Sequence, residues 1–168
     1  MRILSDTGPR GRVVRANSTT LALALSQAGA QMEPVLDVFA DGDILTVGEE
    51  DLRVDSHGQP CQVTRGMNGT QDTSHPAGQN VRLASGATIL EHTFDGTEYL
   101  SALRAGGEVE ALFGLQVNGQ IHYAAATTPY QLEVFFPLAR YQPAGGDILR
   151  IVVWSWAAEA VFWGEMQS

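Results

Sequence analysis

The chain has no lysine. All ten of its basic residues are arginine, set against 19 acidic ones, for a formal charge of −9 over 168 residues. A nucleic-acid partner calls for a basic surface, and this balance excludes one. The missing lysine also removes the Gly-x-x-x-x-Gly-Lys phosphate loop. There is a single cysteine, Cys61, so an intrachain disulfide framework is excluded. No stretch approaches the roughly 20 apolar residues that a membrane helix requires. The opening Met1-Arg2-Ile3-Leu4-Ser5-Asp6 carries no long apolar region. Synthesis in the cytoplasm and no membrane partner are therefore expected. A Gly-x-Ser-x-Gly nucleophile elbow is absent as well.

What the chain does have is strand patterning and turn chemistry. Hydrophobic residues make up 44 %, enough for a packed core. The 18 glycines and 7 prolines suit many short strands joined by tight turns. Extended runs are read at Val13-Val14, Leu21–Leu25, Val35–Phe39, Gln62–Arg65 and Asn80–Leu83. Ile44–Val47 and Asp51–Val54 flank Gly48-Glu49-Glu50 as a hairpin. Leu83–Ala87 reads as a boundary, after which the patterning restarts. Tyr99–Leu103 is ambiguous between strand and helix, and Gly106-Gly107 follows it. Val109, Ala111, Phe113, Leu115 and Val117 alternate up to Asn118-Gly119, the favoured pair for a type I′ hairpin turn. Strands follow at Gln131–Phe136, Ile148–Trp154 and Ala160–Glu165. The expected fold is all-β: a small β-barrel or roll over residues 1–84, then an antiparallel β-sandwich, jelly-roll-like, over 85–168.

Candidate chemistry is sparse. Cys61 with His57, His75, His92 and His122 lacks the two paired ligand sets of structural zinc. The acidic groups Asp41-Gly42-Asp43 and Glu49-Glu50-Asp51 with Asp55 lack EF-hand spacing and read as a solvated face. No metal or cofactor is expected. Cys61 reads as a packing residue, although a hydrolase with a Cys61–His pair or two facing carboxylates stays open. The tryptophans Trp154, Trp156 and Trp163, with Tyr141, Phe135, Phe136 and Phe162, have two readings. One is sandwich core, with Trp154 and Trp156 on one strand face. The other is a subunit interface or a platform on which a sugar ring stacks.

One block is more specific. Thr19-Thr20-Leu21, Val38-Phe39, Gly42-Asp43-Ile44-Leu45, Val47-Gly48-Glu49, Val63-Thr64-Arg65-Gly66, Asn68-Gly69-Thr70, His75, Gly78 and Val81 resemble a small β module of tailed-bacteriophage tail, baseplate and fibre proteins. The resemblance spans about residues 19–83. It departs at Asp51-Leu52-Arg53, where the module often has an aromatic strand, and at Gln71-Asp72, where small residues are common. It implies a structural, non-enzymatic role in the virion, with other virion proteins as partners and a homo-oligomer, trimer or hexamer. Host surface glycan binding and capsid decoration are the alternatives. Within the motif, Gly66 and Gly69 suit positive φ, Asn68-Gly69 suits a turn, and Pro76 holds His75 extended. Arg65 is expected to pin its loop through carbonyls or a carboxylate, and the His75 ring to bond the same loop.

Overall fold

A computed structural model describes residues 2–8, 11–137 and 142–168; Tyr141 of the aromatic set lies outside them. Fifteen strands and no helix occur among the described residues. The fold is all-β. The strands fall into two compact units, one of residues 16–86 and one of residues 1–15 with 87–168.

The smaller unit is one antiparallel sheet of six strands. These are β3 (Ser18–Thr20), β4 (Gln31–Met32), β5 (Ile44–Val47), β6 (Glu50–Ser56), β7 (Cys61–Met67) and β8 (Asn80–Leu83), in the order β3-β8-β5-β6-β7-β4. The hairpin at Gly48-Glu49 forms as its residues predict, with Val47 opposite Glu50. Leu45, Val47, Leu52, Val54, Cys61, Val63 and Val81 alternate inward and are buried. They close on Leu21, Leu25, Met32 and Phe39. A single sheet that surrounds its own core must curl. Two expected strands are absent. Leu21–Leu25 keeps only isolated bridges, Leu21 to Pro34 and Leu25 to His75. Val35–Phe39 is a loop that buries Phe39 and exposes Val35 and Leu36.

The larger unit is a sandwich. One sheet holds β1 (Ile3–Asp6), β15 (Glu159–Gln167), β10 (Ala102–Gly107) and β13 (Glu133–Phe135), with β2 (Arg12–Arg15) also on β15. The other runs β12 (Gln120–Ala126), β11 (Leu112–Val117), β14 (Ile148–Trp154), β9 (Ala87–Thr93). Phe113, Leu115, Val117, Leu149, Ile151 and Val153 from the second meet Leu103, Ala105, Ala160, Phe162 and Met166 from the first. Phe113 and Phe162 meet edge to face at 5.8 Å. The β11–β12 hairpin turns at Asn118-Gly119 with φ of 50° and 84°, the type I′ sign at both positions.

The domain limits differ from the expected 1–84 and 85–168. The first 15 residues belong to the sandwich, because Val14 lies opposite Ala160 on β15 and points into its core. Gly106-Gly107 forms the end of β10. A Cβ on Gly107 would sit 2.2 Å from the Phe162 ring, so a bare backbone is what admits that ring.

All three tryptophans lie in the larger unit, so their emission follows its unfolding. Truncating the fully buried Phe162 to alanine is expected to cost about 3–5 kcal/mol. Urea unfolding followed by tryptophan fluorescence should show the midpoint fall accordingly. An unchanged midpoint would contradict this packing.

Candidate functional site: a saturated carboxylate in the smaller unit

Alternation along β6 places Glu50 on the same face as Leu52 and Val54, and alternation along β7 places Arg65 with Cys61 and Val63. Two opposite charges thus enter the interior from neighbouring strands. Glu50 is fully buried, and the Arg65 side chain is 10 % exposed. Burying an ion pair is costly unless its remaining hydrogen-bonding positions are filled.

They are filled. Glu50 Oε1 accepts from Arg65 Nε at 2.7 Å and from the Gly66 amide at 3.2 Å. Oε2 accepts from Arg65 Nη2 at 2.8 Å, His75 Nε2 at 2.7 Å and the Thr73 amide at 3.2 Å. The remaining Arg65 donors reach carbonyls: Nη1 bonds Ser26 O at 2.6 Å and Gly29 O at 2.9 Å, and Nη2 bonds Thr73 O at 2.6 Å. His75 is buried, its Nδ1 faces the Gln79 amide oxygen at 3.1 Å, and its backbone exchanges two hydrogen bonds with Leu25. Arg65 and His75 therefore do what the motif predicts, pinning loops through both carbonyls and a carboxylate.

The rest of the motif shapes the loop around this centre. Gly66 has φ of 62°, and a Cβ there would approach Thr70 O to 3.1 Å; the left-handed conformation turns its amide to Glu50. Asn68 and Gly69, both at positive φ, form the turn closed by Thr70 N to Met67 O at 3.0 Å. Thr70 Oγ1 donates to Met67 O and accepts the Asp51 amide, while Asn68 Nδ2 donates to Asp51 Oδ2. Gly78 donates its amide to Leu21 O at 2.7 Å. The structure thus gathers Arg65, Gly66, Asn68, Gly69, Thr70 and His75 into one network, with Gly78 anchoring the following turn.

Glu50 is the residue that the sequence reading misplaces. Grouped with Glu49, Asp51 and Asp55 as a solvated face, it is instead the centre of the site. The available signal is parity: stepping back by twos from Leu52 points it inward.

Electrostatics set the chemistry. Burial pushes the Glu50 carboxyl up, but the bonds from Arg65, His75, Thr73 and Gly66 override it and hold it at about 2, below its ordinary 4.5. A carboxylate offers about four acceptor sites, and five donors already converge on this one. It has no position left to take a proton from a substrate. His75, Thr73 and Gln79 line an open polar groove of ≈ 600 Å³ with Glu49, Gln71 and Pro76, but Glu50 does not line it.

The other candidates disperse. Cys61 is buried and donates to Gly58 O at 3.1 Å, and burial pushes its thiol up. His57 pairs with Asp41 at 2.7 Å, which raises its pKa, and His92 pairs with Glu98 at 2.9 Å. No cluster of three metal-ligating side chains occurs among the described residues. The tryptophans do not form one platform. β14 ends at Trp154, so Trp154 and Trp156 do not share a strand face. Trp154 is buried against Gly114, whose added Cβ would lie 2.8 Å from the indole. Trp156, 50 % exposed, sits beyond the strand end. Trp163 lies on the opposite sheet, leaning over Gly106, with the Arg104 guanidinium 5.5 Å from its ring centre. Arg104 also pairs with Glu165 at 3.0 Å and Glu133 at 3.3 Å.

Because the folded pKa of Glu50 is lowered, its contribution to stability is present above about 4.5 and is lost as pH falls through about 2. That contribution is about 3 kcal/mol. Glu50→Gln should lower stability at neutral pH by about 3–5 kcal/mol, since it strands Arg65 without a countercharge. It should also flatten the acid limb of the stability curve. Chemical denaturation followed by backbone NMR signals of residues 16–86 between pH 2 and 7 measures both; equal acid slopes in the two proteins would contradict the assignment.

No protein-family model, curated protein or solved structure matches the chain, so what this network does is read from its geometry.

Proposed function

We propose that the chain is a structural component of a tailed-phage virion at the tail, baseplate or fibre-attachment level, acting through protein–protein assembly. The observation that carries the reading is the fate of the motif on which the phage resemblance rests. Its Arg65, Asn68, Thr70 and His75 side chains are spent on internal bonds to Glu50, Asp51, Met67 and nearby carbonyls. A motif used this way builds a rigid scaffold and keeps its loops in register. Apolar side chains then stand exposed on both units: Leu23, Val35 and Leu36 on the smaller, Tyr99, Tyr130, Phe135 and Trp156 on the larger. Exposed aromatics of this kind are common anchors of protein interfaces. The partners are other virion proteins and copies of the chain itself.

The test is made on purified particles of a phage that encodes the chain. Gold-labelled antibody should mark the tail end, and particles made without the chain should have incomplete tails. Label on the head would favour decoration of the capsid. Absence from the particle would end the virion reading.

A second reading, host glycan binding, is favoured by one feature. Trp163 and Arg104 line an open groove of ≈ 670 Å³ with Glu108, Glu133 and Glu165, a flat ring beside charged groups that hydrogen-bond hydroxyls. On this reading Trp163→Ala abolishes glycan-array signal and Trp156→Ala leaves it. No signal from the wild-type chain would remove the glycan role.

A further inference from the structure

The loop between β4 and β5 exposes an apolar pair whose backbone is held in place by hydrogen bonds. Val35 and Leu36 are 48 % and 45 % exposed. The Val35 amide donates to Thr20 O at 2.9 Å, and the Ala22 amide donates to Glu33 O at 2.8 Å. Gln59 Nε2 adds bonds to Pro34 O at 3.1 Å and Val35 O at 2.8 Å. Pro34 is buried, and Phe39 further along the loop sits in the core. Side chains displayed on a fixed backbone lose little freedom when a partner covers them. The surroundings are acidic. Glu33 and Asp37 flank the pair in sequence, and neither carboxylate has an ion-pair partner among the described residues. Asp41 is answered by His57 at 2.7 Å. All three carboxylates lie near enough to Cys61 for their charge to add to burial in pushing its thiol up. Of the ten arginines only Arg53, Arg65 and Arg82 belong to residues 16–86. Arg53 is paired with Asp55 and Arg65 with Glu50.

We propose that this face docks a basic segment of another protein, one that sets an aliphatic or aromatic side chain on Val35 and Leu36 and arginine or lysine on Glu33 and Asp37. The apolar pair supplies contact area, and the carboxylates choose the partner. Complementary charge across an interface speeds encounter and suppresses wrong partners, because like charges brought together are costly. A second copy of this chain, with its charge of −9, is such a wrong partner for this face. A cationic side chain is the right one, since it meets two carboxylates that nothing in the smaller unit neutralises. The inference goes beyond the assembly reading by naming a surface and the chemistry it takes, and it holds whether or not the partner is a virion protein.

A random peptide library panned against the full chain, followed by NMR titration of the selected peptides, tests it. The selected peptides are expected to carry arginine or lysine beside an aliphatic or aromatic residue. They should shift the backbone signals of residues 33–37 and of Gln59, and added salt should weaken them. Asp37→Lys should weaken binding roughly tenfold by reversing a charge at the contact. Leu36→Ser should weaken it as well while leaving the salt dependence in place. Both side chains are exposed, so the core is untouched. The titration of the wild-type chain keeps the proposal testable if either variant fails to fold. Selected peptides without a basic residue, shifts that fall elsewhere, or no selected peptide at all would overturn the proposal. So would shifts at residues 33–37 that grow with the concentration of the chain alone, because a second copy would then be the occupant. Particle labelling decides the virion reading separately, so failure here leaves that reading where it stands.

Discussion

The smaller unit depends on one carboxylate. Between β3 and β5 the chain runs through more than twenty residues with almost no regular pairing, and the segment between β7 and β8 is similar. Such stretches carry backbone groups that no neighbouring strand satisfies. Backbone bonds between the loops supply many of the partners, and Glu50 and Arg65 supply those of Ser26, Gly29 and Thr73. Arg65 spans from Glu50 to the carbonyls of Ser26, Gly29 and Thr73, while Glu50 collects the amides of Gly66 and Thr73 and the ring of His75. An apolar pair of the same volume could fill the space with less desolvation. It could not bond those carbonyls and amides. The ion pair therefore fixes the conformation of two irregular loops as well as adding stability.

Legibility in the sequence followed the range of the determining interaction. The turns at Gly48-Glu49 and Asn118-Gly119 are set by residues within the turn, and both were readable. So was the alternation from Val109 to Val117, which the sandwich core imposes directly. The roles of Arg65 and His75 were readable from the motif, but their common partner was not, because Glu50 sits in an acidic run whose composition suggests solvent. The β1 and β2 pairing with β15 was illegible for a different reason: four-residue strands carry too little pattern to name a partner some 150 positions away. Leu21–Leu25 and Val35–Phe39 have strand-like composition, yet the first keeps only isolated bridges and the second is a loop, and both contribute side chains, Leu21, Leu25 and Phe39, to the sheet's core.

Glycine does two jobs in this chain, and only one is visible from sequence. At Asn118-Gly119 it supplies a turn. At Gly106, Gly107 and Gly114 it lies within a strand and leaves room for Trp163, Phe162 and Trp154. Paired glycines read as punctuation, but here the cross-strand neighbour decides. Gly106 lies opposite Trp163 and Gly107 opposite Phe162, so the ring on one strand occupies the volume that its neighbour forgoes. The three tryptophans are thereby divided among core, sheet surface and strand end, and they do not form a single binding platform.

The strand that opens the smaller unit, β3, is hydrogen-bonded to the strand that closes it, β8, with Ser18 opposite Arg82 and the Leu83 amide on Asn17 O at 2.9 Å. The unit therefore leaves and rejoins the chain at adjacent points. In genetic terms it is a cassette. A coding segment for residues 16–86 can be lost, gained or exchanged between genes while the strands on either side keep their own spacing, so recombination can vary this module independently of the sandwich that carries it.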